Sequence, residues 1–447
     1  MNIRPPCPPS HQIARQDEAL LDRLERAAFD YFLQEVNFQN GLVADTSRDN
    51  SPVSIAVVGF ALSAYPVAVE RGWLKRADAI ALTLAALRFF CDSDQSGSPT
   101  ATGFKGFYFH FLDQRTGARV WISELSMIDT ALLIAGALSA SIFFSAATSA
   151  EIELRERVEF LYRRIDWRWA QDGYDTIRQG WKPECGFLHY GWEGYSEAIL
   201  LYVLAMGSPT YAIQGDCYKA WTATYQWENL YHHDYLYAGP LFLHHFSHAW
   251  IDFRDIRDSF MGEKRSDYFE NSRRAVYIQR EYAQRNPHEF AGYDEKCWGL
   301  SACDGPSNAH PNAPYEARRL YGYAARGVPF GPDDGTIAPP SVLASLPFAP
   351  EIVLGTVRSM LERYPEILSA DRLASSFNPT LCDAGGRAWV SAGHFGLDQG
   401  IVLMMVENHR TERIWQLMRA CPYIRDGLHR AGFRGGWLPH PPVQGGV

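Results

Sequence analysis

The sequence predicts an all-α fold: an (α/α)6 barrel of six helical hairpins, with long loops and a small β-hairpin over a cleft, in a single domain spanning residues 16–437. Three observations lead there. Roughly ten to twelve segments carry helical periodicity, several of them apolar nearly all round, as helices walled in by other helices are. They arrive as antiparallel pairs and lack the repeat signature of a helical solenoid. Between them run long loops rich in Gly, Pro and aromatic residues, and loops that long inside a compact domain usually carry function.

The elements follow in order. Residues 1–15 and 438–447 are expected to be flexible terminal segments. The first helix is EALLDRLERAAFDYFLQEV (18–36), where Leu20, Leu21, Leu24, Ala28 and Phe32 share a face. Further helices are predicted in SIAVVGFALSAYPVAVERG, ADAIALTLAALRFFCD, ELSMIDTALLIAGALSASIFF and SAEIELRERVEFLYRRI, then in SEAILLYVLAMG, PLFLHHFSHAWID and YFENSRRAVYIQREYAQRN, and last in APEIVLGTVRSMLERYP, LDQGIVLMMVENH and TERIWQLMR. SMIDTALLIAGALSASIFF is the most apolar run, but Asp129 interrupts it, so no membrane span is expected. KGFYFHFLDQRTGARVWISE alternates around a DQRTG turn and reads as the β-hairpin.

Composition narrows the chemistry. Hydrophobic residues make up 47% of the 447, charged residues 21% and aromatic residues 14%, a share large enough to line a wet cleft as well as fill a core. The net charge of −9, with no basic stripe, argues against a nucleic-acid partner. Eight scattered cysteines with no C-x-x-C support neither a zinc knuckle nor a disulfide framework, and read as buried thiols. The N-terminus lacks the apolar core of a secretory signal, which leads us to expect a cytoplasmic protein, or a periplasmic one whose leader was removed. The motifs of serine-hydrolase elbows, P-loops and dinucleotide folds are absent. His244 and His248 have ligand-like spacing but lack the glutamate of H-E-x-x-H, so they read as satisfied helix histidines, and no metal or cofactor is expected.

Carboxylates at the mouths of apolar helices stand out. Glu124 precedes the SMIDTALL helix and Asp129 lies inside it, where an unpaired charge costs several kcal/mol. In WEGYSEAILLYVL, Glu197 is expected in the first helical turn and Glu193 in the loop before it, among Trp181, Lys182, Trp192 and Tyr195. A first-turn acid is ordinarily a macrodipole partner. The aromatic surroundings instead suggest a sugar platform beside an acid. Asp398 and Gln399 open a further apolar helix after a Gly-rich loop containing His394. Two carboxyls flanking a bond, one protonated and one ionised, are the minimum for glycoside hydrolysis.

Seven stretches, in consistent order from about residue 20 to about residue 435, carry a family resemblance. They are GLVADTSR, TGFKGFYFHFLDQRTGARVWISELSMIDTALLIAG, CGFLHYGWEGYSEAILLYVLAMGSPT, HHDYLYAGPLFLHHFSHAWIDFRDI, WGLSACDGP, DDGTIAPPSVLASLPFAPE and LDQGIVLMMVENHRT. Together they resemble the bacterial glucoamylase-like family that includes the endo-β-1,2-glucanases of glycoside hydrolase family 144 and, more distantly, a domain of cyclic β-1,2-glucan synthases. The resemblance implies an (α/α)6 barrel, no required metal, and hydrolysis of β-1,2-linked glucans, generally endo-acting and with inversion. The family's acids fall in SEL-x-x-x-D, GY-x-E and LDQG, here Glu124 and Asp129, Glu197, and Asp398. Glu197 is then the expected general acid, Asp398 or Asp129 supports the water, and Glu124 orients or binds.

Among loop aromatics, Phe104, Phe107, Tyr108, Trp181 and Trp192 are expected to stack on glucose rings, as are Tyr195, Trp227, Tyr235, Trp298 and Trp389. Arg48, Lys182, His232, Asp234, Asp304 and Gln399 are expected to hydrogen-bond hydroxyls, and Glu193 and His394 to contribute to binding. The expected partner is β-1,2-glucan or its oligosaccharides, and the expected state a monomer or weak homodimer. The residues leave open an exo-acting or transglycosylating relative. They also leave open a sugar epimerase using His232, His233 or His394, and a glucan-binding protein without turnover.

Overall fold

The computed structural model describes residues 15–307 and 319–439. The terminal segments expected to be flexible fall outside these residues, except that Arg15 already belongs to the first helix and Leu438 is buried. Part of the CDGPSNAHPNAPY loop also lies outside them.

Six outer and inner helices alternate along the chain. They are α1 (Arg15–Gln34) with α2 (Ile55–Glu70), α3 (Arg76–Asp92) with α4 (Met127–Phe143), and α5 (Ser149–Arg163) with α6 (Ile199–Gly207). Then come α7 (Gly215–Thr222) with α8 (Phe246–Trp250), the short α9 (Ser259–Glu263), α10 (Tyr268–Arg285) with α11 (Pro339–Ala344), and α12 (Pro350–Arg363) with α13 (Gly396–Thr411). The helices α14 (Arg413–Ala420) and α15 (Pro422–Arg430) finish the array. Burial separates the two sets. Every residue of α6 and α11 is buried, as is α2 from Ile55 to Ala68, whereas α1 and α10 bury only one face. This is the (α/α)6 arrangement, with inner helices apolar all round because neighbours cover every side.

Inner helices pack α2 on α4, α4 on α6 and α6 on α8, and α11 on α13, which returns to α2. The tightest contact of this inner ring is α2 on α4, where a Cβ on Gly136 would fall 1.9 Å from the Gly59 carbonyl oxygen, so two glycines let the backbones meet. Ser63 and Ser139 hydroxyls, 3.0 Å apart, continue the same seam. Between α8 and α11 the link is polar: His245 Nε2 lies 3.0 Å from Ser345 Oγ. α14 crosses the C-terminal ends of the ring, with Trp415 Nε1 donating to the His248 carbonyl at 2.6 Å and Arg413 over the Phe143 ring. The N-terminal ends of the inner helices therefore remain as the open mouth. No helix among the described residues is long and apolar enough to cross a membrane.

Several elements differ from expectation. The predicted hairpin exists, with Phe107–Phe109 pairing antiparallel to Leu125–Ser126, but it forms the centre of a five-stranded sheet that adds Gly103–Phe104, Gly180–Lys182 and Gly186–Phe187. PLFLHHFSHAWID forms a 3-10 turn, Leu241–His244, followed by the five-residue α8. α7, α9, α11 and α15, each of fewer than ten residues, are not among the helices expected from the sequence. α6 begins at Ile199, so Glu197 stands ahead of the helix and not in its first turn. Of the cysteines, Cys217, Cys297, Cys303 and Cys421 are buried as expected, while Cys185 and Cys382 are exposed.

Candidate active site

A cavity of about 650 Å³ opens at the mouth of the inner ring and is lined by residues of α4, α8, α11 and α13 and of the loops around them. Glu124, Asp129, Glu197 and Asp398 all line it, together with Asp45, His110 and His245. Its apolar wall includes Phe111, Trp192, Phe242, Tyr323 and Phe395.

Local structure explains each position. Asp129 sits in the first turn of α4, whose N-cap Ser126 receives the Asp129 N–H at 3.2 Å and donates its hydroxyl to Asp129 Oδ2 at 2.6 Å. The cap thereby orients the carboxylate. Glu124 lies on the strand edge opposite His110, whose backbone N–H donates to the Glu124 carbonyl at 2.9 Å. Glycine at 180 leaves room for Glu124, since a Cβ there would approach its Cγ to 2.9 Å. Glu197 is held by its carbonyl, which accepts the Ser247 hydroxyl at 2.6 Å. Asp398 projects from the first turn of α13, three places round the ring from α6.

The electrostatics divide the acids into two kinds. Burial pushes Glu197 up to about 7, with the charge of Asp129 adding to the effect. Burial also pushes Asp398 up to about 7, opposed by a hydrogen bond from Ser375 and reinforced by Asp45 and Asp304. Asp45 rises to about 6 by burial, with His110 opposing. Glu124 goes the other way: burial would raise it, but the hydrogen bond and charge of His110 hold it below the ordinary carboxylate value. For His110, burial would lower the imidazole, yet Asp129, Glu124 and Asp45 outweigh it and raise it to about 9. His110 Nδ1 lies 2.9 Å from Glu124 Oε1 and Nε2 lies 3.6 Å from Asp129 Oδ2. The ligand atoms of this trio lie within 4.8 Å of one another, close enough to hold a metal. Here both ring nitrogens face carboxylates, so a protonated histidine supplies the positive charge itself.

Four enclosed polar atoms on the cavity residues have no hydrogen-bond partner among the described residues: Glu197 Oε2, Asp398 Oδ2, His245 Nδ1 and Trp192 Nε1. Each such atom costs about 1–3 kcal/mol while unmatched. Hydroxyls, able both to donate and to accept, are the chemical complement of such atoms.

The expected binding residues divide sharply. Trp192 lines the cavity. Phe104 stacks on Trp181 at 5.1 Å, and Lys182 follows on the same strand, its charge reaching Glu124. Arg48 pairs with Asp304, donates to the Ala392 carbonyl at 2.8 Å and covers Phe395 at 4.9 Å, so the pair braces the wall that Phe395 forms. Gln399 is buried and donates to the Leu373 carbonyl at 3.4 Å, while the His394 N–H donates to Ser47 Oγ at 2.9 Å; both support the same wall from behind. Glu193 is exposed and accepts from Thr176 at 3.3 Å. Trp227, His232 and Asp234 belong to the hairpin Trp227–Leu230/His233–Leu236, and Trp389 to a sheet strand facing Asn378; none of the four lines the cavity.

Five assignments to the cleft are corrected. Phe107 is fully buried against Trp167, and Tyr108 is fully buried with its hydroxyl donating to the Phe90 carbonyl at 2.8 Å. Trp298 is fully buried and donates to Thr356 at 3.0 Å, and Tyr235 is enclosed beside His244. Tyr195 is buried too, stacked on Tyr268 at 5.8 Å with its hydroxyl 3.3 Å from His244 Nδ1. Phe107, Tyr108 and Tyr235 lie on strands and Tyr195 and Trp298 in loops, and packing from neighbouring elements covers each ring. The histidines named for an epimerase, His232, His233 and His394, do not line the cavity either. His244 and His248 are core residues: His244 has partners at both ring nitrogens, the Tyr195 hydroxyl and the Ala238 carbonyl, whereas His248 Nε2 lies 3.0 Å from Ser272 Oγ and its Nδ1 has no partner among the described residues.

Sequence reasoning missed Asp45, His110 and Phe111. The first lies in GLVADTSR and the other two at the turn of the alternating FYFHF run, where a polar residue in an apolar strand was the available signal.

A protein-family model described as "Putative glucoamylase" matches residues 189–422. A curated relative, an exo-β-1,2-glucooligosaccharide sophorohydrolase (non-reducing end) from Parabacteroides distasonis, is 26% identical over 93% of this chain. The chain spans 58% of that relative's length. The crystal structure of a putative glucoamylase from Bacteroides uniformis superposes with a TM-score of 0.84 at 28% identity, covering 96% of this chain and all of the other. The endo-β-1,2-glucanase of Chitinophaga pinensis shares the fold with a TM-score of 0.80 at 24% identity, over 94% of this chain and 99% of that one.

Proposed function

The chain belongs to the family described as "Putative glucoamylase", and on that premise we propose that it is a glycoside hydrolase cleaving β-1,2-linked glucan internally, with inversion. The observation that carries the reading is the pair Glu197 and Asp398. They stand on opposed segments of one ring, both are raised to about 7 by burial, and each keeps one enclosed oxygen unmatched in the same cavity. The relative acting on β-1,2-glucooligosaccharides supports the choice of linkage.

In this reading Glu197, protonated, donates to the glycosidic oxygen as the bond to the anomeric carbon breaks. Asp398, ionised, accepts a proton from the water that attacks the opposite face. Inversion needs acid and base on opposite sides of the sugar with room for that water, which favours the opposed Glu197 and Asp398 over neighbours. A carboxyl with a value near the working pH is well suited to either role. His110, between Glu124 and Asp129, offsets part of the negative charge on that side of the cavity, and those acids then bind sugar hydroxyls. Asp129 is the second candidate for the base. It stands close enough for its charge to be among the causes that raise Glu197.

Incubation of the purified protein with linear β-1,2-glucan, with products resolved by size and anomeric form, tests the reading. A ladder of oligosaccharides released with inverted configuration is expected. Sophorose alone from the chain end would replace internal cleavage with exo action, and an unshortened glucan would reject hydrolysis. Loss of the reaction in Asp398→Asn and its survival in Asp129→Asn would identify the base.

A further inference from the structure

The chain leaves the cavity wall at residues 119–123 through a turn that is rigid yet presents apolar side chains to solvent. Phe111 lines the cavity, and its carbonyl accepts the Val120 N–H at 3.0 Å. Arg119, buried, lies over the Phe109 ring at 4.6 Å, donates to the Ser123 carbonyl at 2.5 Å and pairs with Glu184 at 2.7 Å. Between these anchors Trp121 and Ile122 adopt left-handed backbone conformations, φ 57° and 52°, which bulky residues rarely take. Both side chains are turned outward, 69% and 65% exposed. A core role is excluded for a tryptophan so placed.

Trp121 is not isolated from the site. Its ring is 5.1 Å from Phe111, and Phe111 in turn lies parallel to His110 at 3.9 Å. An aromatic track therefore runs from the histidine between Glu124 and Asp129, across the cavity lip, to solvent. The volume of about 650 Å³ suits a compact ligand, not a polymer, so a long chain bound there extends beyond the cavity, and the Phe111 lip offers it a path. Accepting the glucan-hydrolase reading above, on which this rests, the geometry points to a sugar subsite on Trp121 that stacks on a glucosyl unit outside the cavity. An indole face is amphipathic and stiff, suited to the C–H face of a pyranose. The enzyme then favours chains long enough to reach it.

The test uses wild type, Trp121→Ala and Trp121→Phe on β-1,2-glucans graded from short oligosaccharides to polymer. KM is measured for each, and binding is measured separately in a Glu197→Gln background. Trp121→Ala is expected to weaken KM and binding for polymer by about tenfold, the order of effect of one lost aromatic contact. The loss should shrink as the chain shortens, and Trp121→Phe should recover most of it. An alanine variant equal to wild type at every length, or equally impaired at every length, overturns the subsite. A wild-type protein that neither binds nor cuts any of these glucans overturns the hydrolase reading itself, and the subsite with it. Binding without cutting leaves the length dependence to decide the subsite alone.

Discussion

His110 Nδ1 lies 2.9 Å from Glu124 Oε1, and the same ring reaches Asp129 from its other nitrogen at 3.6 Å. One imidazole thus sits between two cavity carboxylates, one just ahead of the strand Leu125–Ser126 and one in the first turn of α4. This cross-link depends on protonation, because only the imidazolium donates from both nitrogens.

His110→Asn should therefore alter stability in a pH-dependent way. The folded value of about 9 lies above the ordinary 6.5, so the stabilisation is complete below about pH 6.5 and is lost as pH rises through about 9. Glu124, held below 4.5, contributes above that value and loses its contribution as pH falls beneath it. Thermal unfolding of wild type should fall off between pH 6.5 and 9, while the variant starts lower and shows little slope over that range. Parallel curves for the two proteins would remove the cross-link.

Glu197→Gln is expected to lower kcat by about 10²–10⁴-fold, the range for a lost general acid. It should also stabilise the protein at alkaline pH. Burial raises Glu197 to about 7, so folding is progressively disfavoured as pH rises from about 4.5 to about 7, and the amide escapes that penalty. Unfolding temperatures compared at pH 4 and pH 8 check this: the variant should exceed wild type only at the higher pH. With Asp398 also near 7, kcat/KM of wild type should follow a narrow bell centred near pH 7.

Trp298→Phe is expected to separate packing from binding. It removes the buried hydrogen bond to Thr356 and leaves that hydroxyl without its donor, at about 1–3 kcal/mol. Denaturant unfolding should register this loss while KM for glucan stays unchanged. A raised KM with unaltered stability would return Trp298 to the cleft.

Asp334→Asn should be the most damaging of the set. Arg326 and Asp334 are both fully buried and joined at 2.7 and 2.8 Å, and Arg326 also donates to the Cys303 carbonyl at 3.1 Å, bracing the segment that carries Ser301 and Ala302 into the cavity. Breaking a buried pair from one side costs about 3–5 kcal/mol because the other charge stays behind unpaired. Unfolding midpoints of Asp334→Asn and of the double variant Arg326→Met/Asp334→Leu test this: the double variant should recover most of the loss.

The legible part of the molecule was whatever repeats within one segment. The apolar periodicity of α2, α4 and α13 marked inner helices, and carboxylates at their mouths, Asp129 and Asp398, marked the end where a cavity would open. The short α11 was not legible, because six residues beginning Pro-Pro show no face and owe their helical state to walls on every side.

By itself the sequence determined the helical class and singled out four acids that line one cavity, because hydrophobic period and local motif are properties of neighbouring residues. Only the tertiary structure decided which aromatics reach a cleft. Phe107 and Trp298 carry the same local signature as Trp192, and what separates them is the far-off residue that each one meets: Trp167, Thr356, or the cavity. The same holds for Asp45 and His110, whose charges matter only because the ring brings them against Asp129, which the chain alone leaves 84 and 19 positions away. Burial raises Asp45, whereas at His110 the facing carboxylates outweigh burial, and both effects are properties of the assembled fold.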